Sequence, residues 1–267
     1  MNNQKQILII LLLTFSCLKI SATQQVLDVI IYGKEKLFAY LYLPTQLQNS
    51  KTKLFGNKTV CESTACSNGY NTRWCIIGNQ LYLTDIYSCC YDEDGIKADL
   101  KSLFKEKYKD GKVKADWVTS TILAKKGKFI AFRSDFEPIF EKEVEFGFKK
   151  GKVLVKNEYD NSKSKVSAYS QDYDKLSNYI YSHINWNIIP VSTSQIRVIL
   201  QFEANEKGKV SSVKLMRGSS ELYNKEAIRV IKGIPEWDVF FSKGKLLHNP
   251  WTMAVIFSEE NRKMYKK

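Results

Sequence analysis

The chain has 267 residues, of which 44% are apolar and 13% aromatic; this excludes an intrinsically disordered protein and is enough for one large or two ordinary domains. Forty-one Lys and Arg against 28 Asp and Glu give a formal charge of +13, yet basic and acidic residues alternate in most segments. No helix-turn-helix spacing, RNP-like aromatic motif or finger pattern accompanies the charge, so no nucleic acid partner is expected. The charge reads as a solvated basic face, with attraction to an anionic partner or membrane surface as the alternative.

Residues 1–22 read as a secretory signal peptide. Lys5 precedes the apolar stretch Ile7–Phe15, and Ala22 supplies a small residue for cleavage. That apolar run is shorter than the about 20 residues a bilayer span requires, so no retained transmembrane helix is expected. A retained anchor is the competing reading. A third is a lipid anchor at Cys17, although "TFSC" lacks the usual Leu three residues before the cysteine.

"QVLDVIIYGKEKLFAYLYL" alternates as one or two strands, and a polar, turn-rich loop runs from Pro44 to Arg73. "WCIIGNQLYLTDI" has the form of a hairpin about Gly78 and Asn79. Cys61, Cys66, Cys75, Cys89 and Cys90 fall within this part of the chain. Export places them in an oxidising compartment, and their odd number implies two bridges and one free thiol. The adjacent Cys89 and Cys90 are expected to reach different partners. A zinc site is the alternative, but no paired C-x2-C knuckle is present and neither histidine is near.

"GIKADLKSLFKEKY" follows as a helix with Ile96, Leu100, Leu103 and Phe104 on one face and Asp94 available as its cap. "YDEDG" at 91–95 lacks the order of a calcium loop and reads as a capped turn. Short strands are then expected up to Tyr159, with glycine turns at Gly127 and Gly151. The first region, 23–160, is therefore a cysteine-containing, mostly β domain with one helix. A polar connector, 161–170, leads to a second domain, 171–267.

That second domain opens with a helix carrying Leu176, Tyr179, Ile180 and Ile184. The strand "QIRVILQFEA" puts Ile196, Val198, Leu200 and Phe202 on one face, "NEKG" turns, and "KVSSVKLMRG" returns with Val213 and Leu215 on one side. A helix striped by Leu222, Tyr223, Ala227, Val230 and Ile231 ends at Gly233 and Pro235. The last strand alternates Trp251, Met253, Val255 and Phe257 against Thr252, Ala254 and Ile256. Helix, strand, strand, helix, strand is most economically an antiparallel three-stranded sheet with helices on one face, so the fold class is α+β. Such a sheet has exposed edges, and an edge can take up another chain's extended segment.

Within "ILQFEANEKGKVSSVKLMRGSS", "YNKEAIRVIKGIPEWDVFFSKGKLL" and "WTMAVIF", the residues Glu226, Ala227, Ile231, Pro235, Trp237, Gly244, Lys245 and Phe257 fall on one pattern. Over about residues 180–258 the chain resembles the TonB C-terminal domain family. The resemblance implies a small α+β domain in the periplasm, free or attached to the outer membrane. It also implies a partner, since transducing members pair an edge strand with a segment of outer-membrane receptors. Two departures accompany it. The membrane anchor and Pro-rich spacer of transducing members are replaced by a leader and a cysteine-bearing region, and "DVFF" follows Trp237 where the family has a proline. The first region is similar to uncharacterised secreted proteins of the Bacteroidetes, to which no function attaches.

No chemistry of catalysis is legible. His183 and His248 have no Asp or Cys in a catalytic or ligating pattern, and neither G-x-S-x-G nor G-x-x-x-x-G-K-[ST] occurs. The sequence therefore reads as a non-enzymatic envelope protein-binding module without cofactor or metal. Its candidate edges are Trp251–Phe257 and Gln195–Glu203. The partner-binding candidates are Gln195, Arg197, Trp237, Trp251, Met253, Val255 and Phe257, Trp237 being read either as a surface anchor or as buried beneath the C-terminal helix. Self-association of a structural envelope protein is the alternative, and a secreted enzyme using a reduced thiol is a third reading.

Overall fold

The computed structural model describes residues 25–48, 51–133 and 136–266. The expected leader and Cys17 lie outside them. Strands β1 (Asp28–Tyr32) and β2 (Glu35–Ala39) form the first hairpin, with Gly33 in the left-handed region at φ 63°. The loop that follows contains a helical turn, α1 (Lys51–Phe55), which buries Leu54 and Phe55. Strand β3 (Asn71–Ile77) runs parallel to β1 and forms the expected hairpin with β4 (Gln80–Tyr87) about Gly78.

The short helix α2 (Tyr91–Asp94) occupies the "YDEDG" turn and stops at Gly95, whose φ is 63°. Asp94 does not cap the following helix. Its Oδ1 accepts the Ser88 hydroxyl at 2.6 Å and the Ile96 amide at 2.8 Å, closing the α2 turn. Helix α3 is confined to Leu100–Phe104 and is capped by Asp99, which accepts the amides of Lys101 and Ser102.

Strand β5 (Tyr108–Lys109) pairs with β6 (Lys112–Lys114), which in turn pairs with β4, and the long strands β7 (Ser120–Phe132), β8 (Pro138–Lys149) and β9 (Lys152–Asp160) complete the region. Gly127 is not a turn. It lies within β7, at φ 82°, where the register against β8 slips, so one bulged strand replaces the two expected. Gly151 does make the β8–β9 turn, and a Cβ there would come within 2.4 Å of the Ala115 carbonyl oxygen. The strand order β3-β1-β2-β7-β8-β9-β4, with β4 back on β3, closes a ring around Ile30, Trp74, Leu83 and Phe146. Two joints of the ring are thin: β2 meets β7 only at Phe38 and Lys125, and β4 meets β9 only at Gln80 and Lys152.

The disulfides are Cys61–Cys90 and Cys66–Cys89, with Cys75 free. The two adjacent cysteines do take different partners, and bonded sulfurs leave no zinc ligands among these four.

After α4 (Ala168–Gln171) and α5 (Tyr173–His183), strands β10 (Ile196–Ala204) and β11 (Val210–Arg217) form a hairpin, followed by helix α6 (Glu221–Lys232). A small hairpin, β12 (Phe241–Ser242) and β13 (Lys245–Leu246), precedes β14 (Trp251–Phe257) and α7 (Glu259–Tyr265). The small sheet is antiparallel with order β11-β10-β14. Val198, Leu200, Phe202, Val255 and Phe257 share a second hydrophobic cluster with Leu176 and Ile180 of α5 and with Ala227, Val230 and Ile231 of α6. The architecture is thus mixed α+β: a larger N-terminal sheet and helix region and a smaller C-terminal sheet with helices.

The polar connector is packed against its surroundings. Asn161, Ser164 and Ser167 are buried. Lys165 and Val239 exchange backbone hydrogen bonds of 2.8 and 3.0 Å, the Ser164 hydroxyl accepts the Phe241 amide, and Asn161 accepts the Gly244 amide. Buried polar groups must be paired, and here the partners come from the 238–244 segment.

Candidate partner-binding edge

Strand β10 carries Arg197 and stands at the centre of the small sheet, so it is not an edge. Its two sides are taken by β11 and β14, and Gln195–Glu203 is withdrawn as a pairing surface. Sequence alternation gives both strands the same signature, and only the tertiary order distinguishes them. The edges are β11 and β14.

On β14, Val255 and Phe257 point into the second cluster with 0% and 2% exposure, against Val198 and Ile196 of β10. Trp251 and Met253 are half-buried against the same cluster, whereas Thr252 and Ala254 are exposed on the opposite face. Val255 and Phe257 therefore hold the strand in place and are not free to touch a partner. What β14 offers is its outer main-chain border and that small-residue face. Its final residue pairs are tied down: the Asn261 side-chain amide donates to the Ile256 carbonyl at 3.0 Å, and Ser258 caps α7.

Trp237 is 2% exposed, and its ring meets Phe202 at 4.9 Å and Trp251 at 5.4 Å, edge to face. As a surface anchor it is withdrawn; it fixes the start of β14 from beneath. Gln195 and Arg197 are exposed and occupy each other, the guanidinium donating to Gln195 Oε1 at 2.9 and 3.1 Å. Arg197 stands opposite Ile256, one strand in from the β14 border.

The sequence marks Glu226 as part of a pattern without showing what it holds, and gives no role to Arg229 or Arg262, although all three position this edge. Glu226, 4% exposed on α6, accepts the Asn185 amide at 2.6 Å and both Nε and Nη2 of Arg229. Arg229 holds the Glu226 carboxyl below its ordinary range, outweighing burial. Arg262 of α7 donates to the carbonyls of Trp186, Ile189 and Pro190 and lies over the Trp186 ring, locking the 186–190 loop to the far end of β14. Ser258 followed by two glutamates was the available signal for α7.

Comparison with known protein families, curated proteins and solved structures gives no match.

Among the described residues no group of three or more His, Cys, Asp or Glu is placed to hold a metal, and no helix is long and apolar enough to cross a membrane. His183 accepts a place against the Tyr179 ring and carbonyl, and His248 pairs with Glu203 at 2.8 Å. The Ser182 hydroxyl lies 3.2 Å from His183 Nδ1 and also donates to the Tyr179 carbonyl at 3.3 Å, on the exposed face of α5.

Proposed function

We infer that this chain is an envelope protein-binding module of the TonB C-terminal type, which holds an extended segment of another envelope protein along β14. The observation that carries this reading is the position of β14. It is a seven-residue strand whose only ladder partner among the described residues is β10; Asn261 takes the Ile256 carbonyl, and the border before it supports main-chain addition of a partner strand. The two disulfides support an oxidising compartment, for which the periplasm is the proposed site.

The test uses the full chain and synthetic peptides from the plugs of outer-membrane receptors, followed by amide chemical shifts. The expected result is saturable perturbation of 251–257 with new cross-strand contacts to the peptide. Perturbation confined to β11 or the helices, or none, overturns the reading. Concentration-dependent perturbation of the same amides without peptide would instead favour pairing with a second copy.

A further inference from the structure

We propose that the first region contains a binding site for a small primary ammonium compound, built around Asp28. The cavity, of about 200 Å3 and open on one side, is lined by Asp28 of β1, Tyr40 and Tyr42 of the segment after β2, Tyr70 just before β3, and Gln25 and Asn71. In a chain of net charge +13, no Lys, Arg or His lines it.

Asp28 is 8% exposed, and its hydrogen bonds are unevenly placed. Oδ1 accepts the Thr72 amide at 2.7 Å and the Thr72 hydroxyl at 2.6 Å, which fills both of its lone pairs. Oδ2 accepts only the Leu41 amide at 3.0 Å and keeps one acceptor site. Beside it, Tyr70 is 4% exposed and its hydroxyl has no hydrogen-bond partner; the Leu43 amide approaches without meeting hydrogen-bond geometry. A buried hydroxyl without a partner is destabilising, and a guest that pairs with it relieves that cost.

One free carboxylate acceptor and one unpartnered hydroxyl at one cavity, an absence of local cations and three phenol rings define the guest. It carries positive charge, because the carboxylate has no other counter-charge in the cavity lining. It carries N–H groups, because the free site on Asp28 Oδ2 can only accept, and the Tyr70 hydroxyl, which both donates and accepts, can take another of them. It is small, and its organic part lies along tyrosine rings, which favour cations. The Cys66–Cys89 bridge braces the wall, and Gln25 is fixed there by the Thr64 carbonyl at 2.8 Å and the Ser67 amide at 2.9 Å.

The experiment is titration of the full chain with n-butylammonium chloride, with n-butanol and tetramethylammonium chloride in parallel, read by amide and indole resonances. Trp74 supplies a reporter, since its indole N–H donates to the Thr72 hydroxyl that binds Asp28. Butylammonium is expected to give saturable shifts at residues 25–28, 40–43 and 70–72 and at the Trp74 indole. Tetramethylammonium, which donates no hydrogen bond, is expected to bind about ten-fold or more weakly. Tyr70→Phe keeps the ring and is expected to weaken butylammonium binding about five-fold or more; Asp28→Asn is expected to abolish it. Equal shifts with butanol, or a folded Tyr70→Phe protein that binds butylammonium as tightly as the parent, would overturn the proposal. These outcomes leave the reading of β14 untouched, because the two sites lie in different hydrophobic units.

Discussion

Lys125 and Glu143 form a buried ion pair, Nζ to Oε1 2.7 Å, at the place where the C-terminal part of the chain meets the strand ring. The Glu143 carboxylate also accepts the Ser242 hydroxyl at 3.0 Å and the Lys243 amide at 2.6 Å, residues a hundred positions further along. Beside it the Lys243 ammonium pairs with Glu145, which also accepts the Tyr159 hydroxyl. Burial works to raise the Glu143 carboxyl, and Lys125, the Lys243 amide and Asn161 outweigh it and hold it below its ordinary value. One carboxylate thus joins β7, β8 and β12.

Replacing Glu143 by Ala leaves Lys125 with Glu137 alone, at 3.0 Å and toward solvent, and orphans the Lys243 amide. The expected loss is about 3 kcal/mol in urea unfolding. The double change Lys125→Met with Glu143→Leu is expected to recover more than half of it, because an apolar pair carries no desolvation penalty. A loss below about 1 kcal/mol in the single variant would mean that water already reaches this pair.

Asp238 is 6% exposed and accepts the Ser167 amide at 2.7 Å and the Ser170 hydroxyl at 2.6 Å. Asp238→Ala removes the Oδ1 that accepts both bonds, which orphans the buried Ser167 amide and leaves the Ser170 hydroxyl with the Ser167 carbonyl, and is expected to cost about 2 kcal/mol. Amide exchange at Val239, whose hydrogen bond to Lys165 lies next to this contact, should quicken at least about ten-fold, while exchange in β10 stays unchanged.

Trp237→Ala empties the space between Phe202 and Trp251, with an expected loss of about 4 kcal/mol. Trp251 emission should shift to the red as its ring becomes wetter. An unchanged melting curve would place the Trp237 ring outside the cluster.

The pH dependence of stability separates two carboxyls of opposite sign. Burial pushes Asp28 up from 3.8 to about 6, against the bonds from Thr72 and Leu41. A raised folded pKa means that its contribution is complete below about pH 3.8 and is lost as pH rises through about 6. Between pH 4 and 7 the parent should therefore lose up to about 3 kcal/mol relative to Asp28→Asn. Glu143, held low, behaves conversely: its contribution is present above its unfolded value and falls away as acid is added. A parent and Asp28→Asn pair with parallel stability curves over this range would contradict the assignment.

Alkylation of the unfolded, unreduced chain should label Cys75 and none of Cys61, Cys66, Cys89 and Cys90. In the folded chain Cys75 should react slowly, because burial raises its thiol above the ordinary value, with Lys112 opposing. Opening either bridge, with sequence separations of 29 and 23, should cost about 3 kcal/mol, measured by thermal unfolding of the paired Cys→Ala variants.

Local chemistry decided much of this molecule. Glycines at 33, 78 and 151 set hairpins because they occupy left-handed backbone, and the alternation of Val198, Leu200 and Phe202 marks one face of β10. The stripe Tyr223, Ala227, Val230 and Ile231 likewise fixes the buried face of α6, and the five cysteines beyond the expected leader, read with export, implied two bridges and a free thiol. The candidate edge was legible as the strand Trp251–Phe257 but not as an edge. Alternation reports which face of a strand is apolar, and is silent on how many neighbours its border has. That β10 lies between β11 and β14, that Trp237 turns inward, and that Gly127 bends one strand are all settled by contacts distant in sequence. The same holds for residues 161–170, whose polarity signals a solvated connector. Asn161, Ser164 and Ser167 are nevertheless buried, because Asp238, Phe241 and Gly244 share hydrogen bonds with them while Val239 pairs with Lys165, and polar groups tolerate burial only where such partners converge.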